Sequence, residues 1–153
     1  MSTASVRAEE RIEAHPETVY AVLADYRTHH PRVMPPAFSD LRVEEGGVGD
    51  GTVFTIAVRV LGRRQRLHMR VAEPEPGRVL TETDLDTGVV TEFAVLPADG
   101  GTLARMSSSW ETAPGLRGLA DRLVRPRLER RTFADQLRRL DRYARSEHVR
   151  QLR

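Results

Sequence analysis

Across the middle of the chain, apolar and polar residues alternate in short runs that glycine, proline and aspartate interrupt. That pattern predicts half-buried strands joined by tight turns. The clearest run is 52–60, with Phe54, Ile56, Val58 and Val60 on one face. Gly62-Arg63 turns the chain, and 65–73 returns with Leu67, Met69 and Val71 on one side. A strand over 41–45 precedes this pair, followed by the turn sequence GGVGDG at 46–51. Strands over 78–84, 89–96 and 102–111 complete the series, with turns at Asp86-Thr87-Gly88 and Ala98-Asp99-Gly100-Gly101. Connections this short imply an antiparallel meander.

The two ends differ. Val6, Ala8, Glu10 and Ile12 alternate loosely, which predicts a first strand at an edge or end of the sheet. His15-Pro16-Glu17 then starts a helix, with proline early and an acid in the first turn. Val19, Val22, Leu23 and Tyr26 carry it to about residue 25 or 26. Residues 27–38 hold three prolines and predict a loop with room for one more helical turn. From 114 to about 145, Leu116, Leu119, Leu123, Leu128, Phe133, Leu137, Leu140 and Ala144 recur at spacings of mostly three to five. This predicts a long amphipathic helix, kinked or broken at Pro126, with 127–145 its longer part and 147–153 frayed. A lone helix cannot keep such a stripe from water, so it must lie on the sheet. Whether the two pack solidly or enclose a hollow is not legible from spacing.

The order of these elements, read with particular residues, resembles the SRPBCC or START-like superfamily, and within it the polyketide cyclase/dehydrase-type family. The features that carry the resemblance are HPETVYAVLADY after the first strand, GVGDGT entering a strand, the EPEPGR turn, DTGVVTEF, the GGT turn, and the late DQLRRLDRYA. They span nearly the whole chain, and their order and spacing are more specific than any one of them. The resemblance implies an α+β helix-grip fold. In it a curved seven-stranded antiparallel sheet surrounds a long C-terminal helix, with one or two short helices after the first strand. It also implies a cavity between sheet and helix, and ligands such as lipids, quinones or aromatic polyketides.

Composition narrows the chemistry. With 153 residues and no cysteine, the chain is expected to form one domain over 1–153, tail from 146, without disulfides or thiolate chemistry. The N-terminus lacks an apolar core and no apolar run approaches ~20 residues, so a cytoplasmic protein of bacterial type is expected. From Gly115 onward 12 arginines face 5 acids, whereas the first 114 residues hold 12 arginines and 17 acids. Lysine is absent, which fits the codon usage of a GC-rich genome better than a selected nucleic-acid surface. Asp121, Asp135 and Asp141 stand four residues from arginines, and such pairs describe a solvated helix face. Only Phe133 and Tyr143 interleave those charges, too few aromatic platforms for nucleic acid.

If the apolar strand faces point inward, Phe54, Ile56, Val58, Leu67 and Met69 line one wall of the implied cavity. Phe93, Met106, Ser108 and Trp110 continue it, and Leu119, Leu123 and Phe133 close it from the helix. Met34 and Phe38 stand at the mouth, with Tyr26, Ser108 or Trp110 as orienting polar contacts. The expected partner is a small hydrophobic molecule, without metal, cofactor, nucleic acid or integral membrane association, in a monomer or homodimer. Cyclase or dehydratase chemistry, which the resemblance also allows, would draw acid/base groups from Tyr26, Arg70 or Glu82. The parity of its strand groups Arg70 with Arg66 and His68, which points it to solvent; Glu82, Asp84 and Glu92 are expected near turns and exposed. Ser107-Ser108-Ser109 lacks the elbow of a serine nucleophile. His29-His30 lacks metal-ligand spacing and is expected to be incidental to an entry loop. A third expectation is an interaction protein docking an acidic partner or anionic surface through the arginine-rich helix.

Overall fold

The computed structural model describes residues 2–146. Its strands are β1 (Ser2–Ile12), β2 (Phe38–Glu45), β3 (Val53–Val60), β4 (Arg63–Glu75), β5 (Val79–Asp84), β6 (Val90–Ala98) and β7 (Gly101–Thr112). They form one antiparallel seven-stranded sheet in the order β1-β7-β6-β5-β4-β3-β2. The six later strands run in sequence order as hairpin turns dictate, and β1 extends the sheet by pairing with β7. Strand parity follows the hydrophobic pattern: on β7, Ala104, Met106, Ser108 and Trp110 are buried along one face.

Helix α1 (Pro16–Ala24) and a 3-10 turn (His30–Val33) follow β1. The loop after β2 clamps the end of α1: Gly49 N–H donates to the Ala24 carbonyl at 2.9 Å and Tyr26 N–H to the Gly47 carbonyl at 2.8 Å. Gly49 has φ +68°, a left-handed backbone that favours glycine, and a Cβ there would press against the Glu73 carboxylate. This clamp delivers Tyr26 to the interior.

The C-terminal segment departs from one long helix. It forms a 3-10 turn (Gly115–Gly118), a short α2 (Leu119–Leu123) and then α3 (Arg125–Ala144). Pro126 lies in the first turn of α3, where its missing N–H loses no helical bond, so it starts a helix instead of kinking one. The leucine stripe is accordingly split. Phe133, Leu137, Leu140 and Ala144 are buried, whereas Leu116, Leu119, Leu123 and Leu128 are exposed. The reason is where α3 rests: it lies on β1 and β7, with β1 offering the buried Ala4, Val6 and Ile12 and the half-buried Ala8. Of the expected helix pairs, Asp135–Arg139 (3.1 Å) and Asp141–Arg145 (3.2 Å) form, while Arg125 pairs with Glu129 instead of Asp121. The expected fraying over 147–153 lies outside the described residues.

The split stripe sets an expectation for stability. Leu137→Ala should cost about 2–5 kcal/mol in chemical denaturation, while Leu116→Ala should stay within about 0.5 kcal/mol. Equal costs at the two positions would contradict this packing.

Candidate functional site

The interior is solid at one end and hollow at the other. At the solid end Leu23, Tyr26, His30 and Val33 from the α1 segment pack with Leu80, Phe93, Leu137 and Leu140. Where β3, β5 and β7 finish, side chains no longer meet, and a cavity of about 1370 Å³ opens between sheet and helix. Its wall includes Phe54, Ile56, Val58, Leu67, Met69, Met106, Ser108 and Trp110 from the strands. Met34 and Phe38 border it from the loop, and Phe133 and Gln136 from α3.

A stack of rings separates the two halves. Tyr26 stacks on Phe54 at 4.8 Å and on His30 at 4.2 Å, and His30 meets Phe93 edge-on at 5.8 Å. Behind this partition Tyr26 OH donates to Glu82 Oε2 at 2.6 Å. Glu82 is buried on β5 opposite Val71 and Thr91, and it lines the cavity. Its Oε1 accepts from no protein donor among the described residues. Burial first, then the Glu82 carboxylate, holds the Tyr26 phenol well above its ordinary pKa. Tyr20 is raised likewise by burial and by Glu73, which accepts its hydroxyl proton at 2.6 Å.

His30 is bound on one side only. Its Nδ1 lies 2.7 Å from the Leu23 carbonyl, an acceptor, which places the proton on Nδ1. Its Nε2 lies 3.4 Å from Glu82 Oε2, within ion-pair range but in poor hydrogen-bond geometry, so it has no hydrogen-bond partner. Two acceptors face each other there, unlike the Tyr26 contact, where a hydroxyl donates. Glu82 and His30 thus stand side by side at the inner end of the cavity, with Tyr26 fixing the carboxylate.

Several expected positions fall elsewhere. Leu119 and Leu123 are exposed, because the α2 turn directs Ala120 and Val124 to the cavity instead. Phe93 is buried behind the partition, and Tyr26 reaches the cavity only through Glu82. Arg70 points to solvent, as its strand parity requires. Glu82 is buried instead of exposed, since β5 turns Leu80 and Glu82 to the same inner face; Glu92 is exposed. The three polar groups expected to orient a ligand are already used: Tyr26 OH donates to Glu82, Ser108 Oγ to the Val90 carbonyl (2.9 Å) and Trp110 Nε1 to the Asp121 carbonyl (3.3 Å). His29 and His30 are buried, not incidental; His29 Nδ1 lies 2.7 Å from Tyr143 OH. The role of His30 had one local trace, its i+4 spacing from Tyr26. Its pairing with Glu82, 52 residues away, had none.

A curved sheet gripping a C-terminal helix and leaving one end hollow defines the helix-grip, START-like class. The family described as polyketide cyclase / dehydrase and lipid transport matches residues 3–145, and the chain belongs to that family. The solution structure of KanY is similar, with a TM-score of 0.83 and 26% identity over 95% of this chain and 100% of KanY. Major latex-like protein 151 of Panax ginseng (TM-score 0.74, 13% identity, 94% of this chain and 99% of that one) shares the fold. A norcoclaurine synthase point mutant from Thalictrum, in complex with a transition-state analogue, also shares it (TM-score 0.71, 15% identity, 94% of each chain). No curated protein matches by sequence.

The Tyr26–Glu82 contact predicts an alkaline limit. A raised phenol pKa means the folded state holds this proton more tightly, so the contribution is whole below about pH 10 and is lost as pH climbs through the folded value. Tyr26→Phe should cost about 1.5–3 kcal/mol at neutral pH, since the carboxylate loses its donor, and should flatten the alkaline decline. Denaturation curves across that range check both.

Proposed function

We propose that residues 1–153 act as one ligand-binding domain, and that the hollow holds a small hydrophobic or aromatic metabolite of lipid-, quinone- or polyketide-like character. The observation that carries this reading is the cavity itself: about 1370 Å³ with mostly apolar walls, the buried Glu82 carboxylate and the half-buried Asp84 on the same strand face. Such a volume exceeds the roughly 300–1,000 Å³ usual for small-molecule pockets. An extended or multi-ring guest suits it better than a small polar one. Glu82 Oε1, which takes no hydrogen bond from a protein donor among the described residues, gives that guest an acceptor, so a hydroxyl or phenol beside it would be oriented. KanY offers only the likeness of fold and sequence, while the norcoclaurine synthase offers a precedent for the fold enclosing a reaction.

The test is direct. A fluorescent apolar probe such as anilinonaphthalene sulfonate should bind with one-to-one stoichiometry and perturb the emission of Trp110 on the cavity wall. Leu67→Trp should project an indole into the hollow and weaken binding by roughly tenfold or more, since each displaced methylene contact is worth about 0.8 kcal/mol. Probe binding unchanged by Leu67→Trp would place the apolar site elsewhere.

The Glu82–His30 pair favours a second reading, acid/base catalysis on a ketone-bearing guest. Glu82 would take an acidic α-proton from the guest, leaving its enolate, and the lone pair of His30 Nε2 would accept from the protonated carboxyl. Arg70, facing solvent, has no part in it. Protein-dependent deuterium exchange at the α-carbon of a hydrophobic 1,3-diketone should then appear and fall at least 100-fold in Glu82→Gln. Exchange no faster than in buffer would leave binding alone.

A further inference from the structure

We propose that the open end of the hollow docks on an anionic phospholipid bilayer, so that the cavity mouth faces the lipid. Two rims of that mouth carry the same unusual surface. On the β3–β4 hairpin, Val60 and Leu61 are exposed, and Leu61 at the tip is 86% accessible. Leu61 also has φ +50°, a conformation unfavourable for a leucine and here unrewarded by packing. Arg59, Arg63 and Arg64 flank it, all exposed and none in an ion pair among the described residues. Across the mouth Leu116 is 88% accessible, and Leu119, Leu123, Val124 and Leu128 are exposed along α2 and the start of α3. Arg117, Arg127, Arg130 and Arg131 stand beside them, likewise exposed and unpaired among the described residues.

The two rims belong to one surface. Arg59, Val60 and Leu61 on one side, and Val124, Leu128 and Arg131 on the other, all line the cavity. Between Gly115 and Arg131 six arginines stand against Asp121 and Glu129 alone, and Glu129 is taken by Arg125. The surface is therefore cationic and aliphatic together. A bilayer meets both properties: phosphates accept the arginines, and projecting leucines reach the acyl boundary a few ångströms below. An acidic protein would answer the arginines but leave hydrocarbon on a convex hairpin tip without a pocket. Nucleic acid would want aromatic faces, and Trp110 at the mouth is already covered by the Arg125 guanidinium at 4.0 Å. No helix among the described residues is long and apolar enough to cross a membrane, so the association is peripheral. The proposal holds whether or not any guest occupies the hollow.

The experiment is co-sedimentation of the full chain with phosphatidylcholine vesicles, with and without phosphatidylglycerol, at low and high salt. The protein should pellet with the anionic vesicles and release as salt rises. Arg63→Glu should weaken partitioning by roughly fivefold or more, from about 1 kcal/mol per basic residue near the surface. Leu61→Asp and Leu116→Asp should each weaken it by roughly tenfold. These positions are exposed, so unchanged melting temperatures separate lost docking from lost folding. Pelleting that ignores lipid charge, no pelleting at all, or partitioning indifferent to Leu61→Asp would overturn the proposal. So would a dimer in analytical ultracentrifugation that Leu61→Asp dissolves, since the face would then be covered by a second copy.

Discussion

A buried carboxylate must find a donor or give up its charge, and in this protein Glu82 finds the phenol of Tyr26. That contact joins the segment after α1 to the middle of the sheet, and it stands where close packing stops. On one side the Tyr26, His30 and Phe54 rings complete a dense core. On the other, the strands continue with few helix side chains reaching them, Arg125 over Trp110 among these few. The same carboxylate is thus a structural anchor behind and a polar group in front, facing the cavity.

The hollow follows from how α3 is seated. Its last three turns bury Phe133, Leu137, Leu140 and Ala144 against β1, β7 and the α1 segment. Its first turns have no such support, because Pro126 restarts the helix after α2 and directs it along one wall of the sheet. A helix held firmly at its C-terminal half and loosely at its N-terminal half spans the sheet without filling it. The exposed leucines of α2 and the β3–β4 hairpin are the other face of the same arrangement: they ring an opening that the protein leaves uncovered.

Family membership and local geometry speak to different levels. Membership in the polyketide cyclase / dehydrase and lipid transport family accounts for the grip architecture and for a cavity. The Glu82–His30 pair, the spent hydroxyl of Ser108 and the arginine-leucine rims belong to this chain. Any account of what it does must rest on those residues, since the fold alone is compatible with carriers and with catalysts.

By itself the sequence determined the meander, the inner faces of its most regular strands and the placement of turns. Those depend on local alternation and on residues such as Gly49, whose left-handed backbone favours glycine. It also determined that Arg70 would face solvent, because parity along a strand is a local property. It misjudged the leucines at 116, 119 and 123, since periodicity says which residues share a face but not whether anything covers it. It left His30 as a bystander and Glu82 at the surface, because their meeting joins positions 52 residues apart. Burial of a polar side chain, the pairing of two such groups and the void beside them are set by how helix and sheet come together. That geometry is a property of the assembled chain, and no single stretch encodes it.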